Sequence, residues 1–327
     1  MSLSKTFPLV NADARIAARP VRKLADDLFR NFLLLLAVSV LAIVALILME
    51  LIQGSRLSIQ QFGFRFFTTS DWDPVNGDFG ALPFIYGTLV SSLLALVVAV
   101  PLSIGLAAFS TEMCPRALRG ALSFTVELLA AIPSVIYGLW GIFVLAPLLS
   151  RRVEPFLAAH FRWTGLFEGP AYGIGMLAAG LILAIMVIPI VTSITREVMA
   201  AVPQNQKEAV LALGATRWEM LRIAVLRNAR TGIFGTVILG LGRALGETMA
   251  VTMLIGNRAE IAKSLFAPGY TLASVIANEF SEATGDLYLS ALIEIGLVLF
   301  LVTLVVNALA RLMVWRITRG MPVRTHA

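Results

Sequence analysis

Charged residues are scarce in this sequence. They make up 14% of its 327 residues, whereas hydrophobic residues make up 58%, and the mean hydropathy is +0.85. A water-soluble domain of this length does not bury so much apolar surface in one core. The scarcity of charge therefore excludes an ordinary soluble domain and predicts an integral membrane protein.

Side chains that bind metals or nucleotides are scarcer still. The sequence has one cysteine, Cys114, and two histidines that lie far apart, so it has neither an internal disulfide nor a metal-ligand pattern. No lysine follows a glycine, which excludes the G-x-x-x-x-G-K-[ST] loop that cradles phosphates. We expect no metal, no cofactor and no enzymatic activity, and any ATP hydrolysis must belong to a partner.

The sequence contains several long apolar runs. A helix of roughly 20 residues crosses a hydrocarbon layer about 30 Å thick, and the sequence predicts an all-α integral membrane fold with six transmembrane helices. These are Asn31–Ile52, Phe84–Phe109, Leu122–Leu149, Ala171–Thr195, Gly232–Ile255 and Tyr288–Met313. Prolines 101, 133 and 189 lie inside three of them, where we expect kinked helices rather than loops.

The basic residues are distributed unevenly around these runs. Most of them precede the first run, follow the last, or lie between the second and third and between the fourth and fifth. Cytoplasmic loops carry an excess of Lys and Arg, so both termini are predicted to be cytoplasmic. This bias accounts for the net charge of +6 without a nucleic-acid partner.

The long inner segment, residues 196–230, carries the signals of a helix-turn-helix. The pattern predicts a short helix over Gln204–Leu213 that is ended by Gly214 in a left-handed conformation. Thr216 and Glu219 fit a capping box for a second helix. The predicted apolar face of that second helix consists of Trp218, Leu221 and Val225. The pattern alone favours either a docking protrusion or an amphipathic hairpin on the membrane surface.

The fifth run contains Arg243 and Glu247, which are four residues apart. Ionised groups in the bilayer cost several kcal/mol, so both should face a water-filled path or a partner helix. Gly242 and Gly246 would allow a neighbouring helix to approach closely. Two interpretations stay open, an oxyanion pathway or an internal ion pair that only joins helices. The intramembrane acids Glu127 and Glu294 are further pathway candidates, or a second partner of Arg243.

The inner segment resembles the ATPase-docking loop of ABC importer permeases. That family has Glu-Ala-Ala, then Gly, then a hydrophobic residue before Leu-Pro. The corresponding residues here are Glu208-Ala209-Val210, Gly214 and Ala224-Val225-Leu226-Arg227, with departures at 210, 224 and 227. The resemblance implies that Glu208, Ala209, Gly214 and Trp218 form a cytoplasmic coupling element in a type I ABC importer permease architecture.

Three further stretches are similar to the phosphate-specific branch of that family. They are Trp72–Asn76 with Phe79–Thr88, Leu129–Gly141 and Gly242–Val251, where the last reads Gly-Arg-Ala-Leu-Gly-Glu-Thr-Met-Ala-Val. The resemblance implies an inner-membrane permease subunit of an ATP-driven phosphate importer, with Arg243, Glu247 and Thr248 on the substrate pathway. The implied partners are a homologous second permease, a cytoplasmic ATPase dimer, a periplasmic phosphate-binding protein and membrane lipid.

The expected organisation follows from these assignments. Residues 1–30 form a cytoplasmic N-terminal segment, 31–83 the first transmembrane helix and a periplasmic interfacial segment, 84–313 the permease core with its coupling loop 196–230, and 314–327 a cytoplasmic tail. The alternatives are a sulfate or molybdate permease, an ion-coupled secondary phosphate carrier, and a structural or regulatory membrane subunit. A secondary carrier needs no docking helices.

Overall fold

The computed structural model describes residues 23–318. The chain divides into two compact units, residues 1–50 and residues 51–327. The described part of the first unit is one helix, and its apolar side chains, such as Leu35 and Leu41, are exposed. A helix that is apolar on all sides is suited to lipid. The predicted N-terminal segment and C-terminal tail lie largely outside the described residues.

The described chain is predominantly helical. Its α-helices are α1 Lys23–Gly54, α2 Arg56–Phe62, α3 Leu82–Ala108, α4 Arg116–Ala131, α5 Ser134–Trp140, α6 Ala146–Leu148, α7 Glu154–Phe161, α8 Met176–Ala200, α9 Gln204–Ala212, α10 Arg217–Met220, α11 Arg227–Leu245, α12 Met249–Thr252, α13 Leu272–Glu279 and α14 Asp286–Thr318. Gly63–Phe67 and Arg162–Thr164 are 3-10 turns. Phe109–Met113, Gly141–Leu145, Leu149–Val153 and Leu221–Leu226 are π-helical.

Within residues 23–318, five continuous helical segments are long and apolar enough to cross a membrane. They are Asp26–Gly54, Leu82–Met113, Ser134–Thr164, Met176–Ala200 and Asp286–Arg316. These segments overlap the first four predicted spans and the sixth, and the all-α membrane fold class is confirmed. The predicted fifth span, Gly232–Ile255, is not one continuous helix, because α11 ends at Leu245 and α12 begins at Met249.

The prolines behave differently from one another. Pro101 and Pro189 lie inside α3 and α8, as predicted. The prediction for Pro133 is wrong, because α4 ends at Ala131 and both Ile132 and Pro133 have extended backbone before α5 begins. A residue that precedes proline is disfavoured in the helical region. The predicted span Leu122–Leu149 is consequently divided between two helices.

Helices α3, α8 and α11 form the centre of the second unit. Ala95 and Ala99 of α3 are fully buried. At Gly180 of α8 a Cβ would overlap a side chain of α3, and at Gly240 of α11 it would crowd Val191 of α8. Small residues at these positions allow helix backbones to approach closely. This packing fixes the position of α11, which carries Arg243.

The segment between α2 and α3 contains a two-stranded antiparallel sheet. Strand β1 (Trp72–Asp73) pairs with β2 (Asp78–Phe79). The Trp72 indole N–H donates to Oε2 of Glu279 at 2.8 Å, and the Tyr288 hydroxyl donates to the same oxygen at 2.7 Å. The predicted interfacial segment is therefore tied to α13 and α14 by a shared carboxylate.

Candidate functional site

Arg243 lies just before the break between α11 and α12, and Glu247 lies within it. Arg243 is in the last turn of α11, Gly246 follows the helix, and Glu247 lies outside it. The distance from Nη2 of Arg243 to Oε2 of Glu247 is 3.4 Å. The two residues thus form an ion pair, but the prediction of one helix through both is wrong. Gly246 has a low helix propensity, which favours termination there.

The two members of this pair differ in exposure. The side chain of Glu247 is 5% exposed, whereas that of Arg243 is 46% exposed. Oε1 of Glu247 accepts a long hydrogen bond of 3.5 Å from the backbone N–H of Ala250. A guanidinium carries five N–H donors in a planar fork. The protein therefore holds the carboxylate inside, while part of the guanidinium stays exposed.

Thr248 lies in the same break, as the third predicted pathway residue. Its hydroxyl donates to the carbonyl oxygen of Gly246 at 3.4 Å, and its own carbonyl accepts from the Thr252 hydroxyl at 2.8 Å. The side chain is partly buried. The structure thus places Glu247 and Thr248 in the interruption of helical backbone that directly follows the last turn of α11, which carries Arg243.

A crevice of about 890 Å³ lies between α11 and α14. Its lining includes Leu239 and Gly242 of α11 and Thr303 of α14. A Cβ on Gly242 would meet nothing within 4 Å, so the predicted close approach of a helix at Gly242 and Gly246 is not made by the described residues of this chain. The face of α11 that carries Gly242 is therefore open toward this crevice.

Glu127 and Glu294 have neighbours other than Arg243. Oε1 of Glu127 is 3.2 Å from Nη2 of Arg196. Glu294 is buried beside Ser58, and its Oε2 has no hydrogen-bond partner among residues 23–318. Neither acid forms an ion pair with Arg243 in that part of the chain, so the idea of a second partner for this arginine finds no support here.

The inner hairpin has the predicted helix-turn-helix form. Helix α9 is followed by Gly214 at φ +83°, and Thr216 with Glu219 forms the capping box of α10. Hydrogen bonds from the backbone N–H and hydroxyl of Thr216, at 2.8 and 2.9 Å, lower the pKa of Glu219. Glu208 and Ala209 are exposed on α9. Two of the coupling candidates are therefore free to meet a partner.

The predicted apolar face of the second inner helix needs a correction. Leu221 and Val225 are buried, but Trp218 is 60% exposed. Helix α10 ends at Met220 and continues as a π-helical segment, so the 3.6-residue period used for the prediction does not hold through this region. Trp218 and Leu213, which is 88% exposed, give the hairpin an apolar outer surface.

The sequence argument missed one ion pair in this region. Nζ of Lys207 in α9 is 2.6 Å from Oε1 of Glu112, at the end of the helix that begins with α3, and the side chains are 9% and 11% exposed. Lys207 is one of the basic residues of the inner segment 196–230. Its partner is 95 positions away, and no local pattern identifies such a contact.

Comparison with known proteins gives consistent matches. Residues 99–319 match the family described as binding-protein-dependent transport system inner membrane component. Phosphate transport system permease protein PstC of Mesorhizobium japonicum is 49% identical over 298 residues, covering 90% of this chain and 91% of that protein. PstC of Xylella fastidiosa (strain 9a5c) is 47% identical over 307 residues, covering 92% and 94%.

A solved structure supports the fold. It is the crystal structure of a bacterial ABC transporter involved in the import of the acidic polysaccharide alginate. The TM-score is 0.60 at 22% identity, and the match covers 90% of this chain and 99% of that one. At this identity the likeness concerns the arrangement of helices.

Proposed function

Since this chain belongs to the family of binding-protein-dependent transport system inner membrane components, we propose that it is a permease subunit of an ATP-driven importer of inorganic phosphate. It is a transport component rather than an enzyme. The assignment of phosphate as the substrate rests on the identity of 46 to 49% with phosphate permeases over about nine tenths of the chain. A multi-pass permease of this family lies in the inner membrane.

The inner hairpin supports an ATPase partner. A secondary carrier has no use for a rigid cytoplasmic protrusion with exposed apolar side chains. Glu208 and Ala209 on α9 and Trp218 beyond the Gly214 turn are each exposed. We propose that these residues dock on the ATPase subunit. The opposite side, with the hairpin Trp72–Phe79, would receive the phosphate-binding protein, and both termini would be cytoplasmic.

The crevice beside α11 supports a second permease as partner. Arg243 is half-exposed and Gly242 is open on a face that no described residue of this chain covers closely. A homologous subunit packed on that face would complete a path between two sets of helices. The path would then open alternately to the two sides of the membrane. The core of this half would comprise residues 84–313, with the coupling loop 196–230.

Arg243, Glu247 and Thr248 are proposed to line the phosphate path. Near neutral pH phosphate carries one P–OH or two, together with unprotonated oxygens. Arg243 can donate to the oxygens, and the Glu247 carboxylate can accept the P–OH proton in a hydrogen bond. Sulfate has no such proton at this pH, so the pair favours phosphate over the nearest alternative substrate. Glu247 also limits how tightly the anion is held, which transit requires.

Co-purification of the ATPase and the energy source of phosphate uptake together test this function. The chain is expressed with its second permease and ATPase, and the purified complex is placed in liposomes with the binding protein outside and ATP inside. We expect the ATPase to co-purify and phosphate uptake to require ATP. Uptake without ATP that stops when ionophores remove ion gradients would identify a secondary carrier instead.

A further inference from the structure

Helix α9 has two faces with different chemistry. Glu208 and Ala209 are exposed, whereas the neighbouring Lys207 is buried and meets Glu112 at 2.6 Å. Val210, one turn from Lys207, packs against the apolar cluster that contains Leu221. The outward face is thus available to a partner, while the inward face is attached to the rest of the protein.

Glu112 connects this attachment to the central helices. It lies in the π-helical segment that continues α3. Further along α3, Ala95 and Ala99 share an apolar cluster with Ala244 of α11 and Val251 of α12. These two residues flank the break that holds Glu247, and Ala244 directly follows Arg243. A continuous helix therefore runs from the Lys207 contact to the helices around the candidate phosphate path.

The pair resists separation for an electrostatic reason. Each charge loses most of its contact with water, and removing one partner of a buried pair is strongly destabilising because the other charge is left uncompensated. The exposed pairs of this chain behave differently, since water can solvate their charges when they part. A displacement of α9 is therefore expected to carry the end of α3 with it.

We propose that Lys207 and Glu112 are positioning residues that transmit the movement of the docking helix α9 to α3 and so to the phosphate path. The inference rests on the proposed function, because it takes the hairpin to be the ATPase-docking element. It assigns a role to a pair that faces away from the ATPase surface. Neither residue contacts phosphate.

The first test removes both charges. In Lys207→Met with Glu112→Gln no charge remains buried without a partner, so the complex should assemble. We expect ATP hydrolysis to continue while most of the phosphate uptake per ATP is lost, because movement of α9 no longer carries α3 with it. The control is Arg30→Met, which breaks an exposed ion pair with Asp27 at 3.3 Å and should leave the ratio unchanged.

The second test replaces the ion pair by a removable covalent link. Lys207→Cys and Glu112→Cys are combined in a Cys114→Ser background, and a short bis-methanethiosulfonate reagent joins the two thiols. We expect low uptake per ATP before cross-linking, recovery after it, and loss again on reduction. A rigid link is compatible with transport only if α9 and the end of α3 move together.

The outcomes distinguish a failure of the transmission role from a failure of the proposed ATPase docking. A normal phosphate-to-ATP ratio in the neutral double variant, or a cross-linked complex that stays uncoupled, would overturn the transmission role. Failure of the ATPase to co-purify with the unmodified chain would instead overturn the docking assignment. The inference is supported if the neutral double variant retains ATP hydrolysis with a reduced ratio of phosphate uptake to ATP, and if cross-linking of the double-cysteine variant restores that ratio.

Discussion

Replacing Arg243 by Gln should abolish phosphate uptake, whereas replacing Glu247 by Gln should weaken it. Arg243→Gln removes the half-exposed donors offered to the anion and leaves a carboxylate of 5% exposure without its charged partner. Glu247→Gln leaves a guanidinium that water can still reach, so the complex should assemble. The reduced activity of the second variant would come from altered binding of the protonated oxyanion.

The structure sets the scale of these effects. At 3.4 Å and an effective dielectric constant of about 20, two unit charges attract by about 5 kcal/mol. Desolvation of Glu247 and solvent screening of Arg243 offset much of this attraction. We expect Arg243→Gln to destabilise the subunit by about 1–3 kcal/mol, the cost of a buried group without its partner. The cost of Glu247→Gln should stay below about 1 kcal/mol.

The double variant, Arg243→Gln with Glu247→Gln, separates transport from structure. Its assembly should recover because neither charge is left without a partner. The assay is labelled phosphate uptake in proteoliposomes, divided by the amount of assembled complex. An intact but inactive complex would support the pathway role. Wild-type uptake per complex would refute it and leave a pair that only joins α11 to the break.

Three other predictions address coupling, topology and packing. Gly214→Val should lower the stability of the hairpin by about 1–2 kcal/mol, because φ is positive at this position, and should release the ATPase. Gly214→Asn should retain the ATPase, because asparagine tolerates this conformation. Equal retention of the ATPase by the two variants would contradict the docking role. Cysteines at Val75 and Asn205, in a background without the native cysteine, should react with impermeant reagents from opposite faces of the membrane; labelling from one face would overturn the orientation. Gly87→Ala should lower the yield of folded complex, because its Cβ would overlap a backbone carbonyl oxygen, whereas Gly105→Ala in the same helix meets open space; equal yields would contradict the packing.

Local signals were sufficient for the parts of the fold that depend on local physics. Apolar runs gave the long helices, and the Gly214 turn with the Thr216 and Glu219 capping box was predicted residue by residue. These features rest on backbone conformation and on side chains three residues apart. They require no knowledge of the rest of the chain.

Features that depend on tertiary context were missed. The break after Gly246 interrupts an apolar run that hydropathy treats as continuous, and the π-helical segment after Met220 moves Trp218 out of its predicted face. The Lys207 and Glu112 contact joins residues 95 positions apart. A hydropathy window does not register that a glycine such as Gly246 favours helix termination, and helical periodicity cannot report a contact between residues 95 positions apart.

Uptake of phosphate compared with uptake of sulfate by the assembled complex tests the proposed substrate most directly. Proteoliposomes containing this chain, its second permease and the ATPase are supplied with the binding protein outside, ATP inside, and either labelled phosphate or labelled sulfate. If this chain is a phosphate permease, phosphate should accumulate in an ATP-dependent manner. Sulfate should stay at the level found in liposomes that lack this chain. Accumulation of sulfate in preference to phosphate, or phosphate uptake unchanged when this chain is omitted, would contradict this prediction.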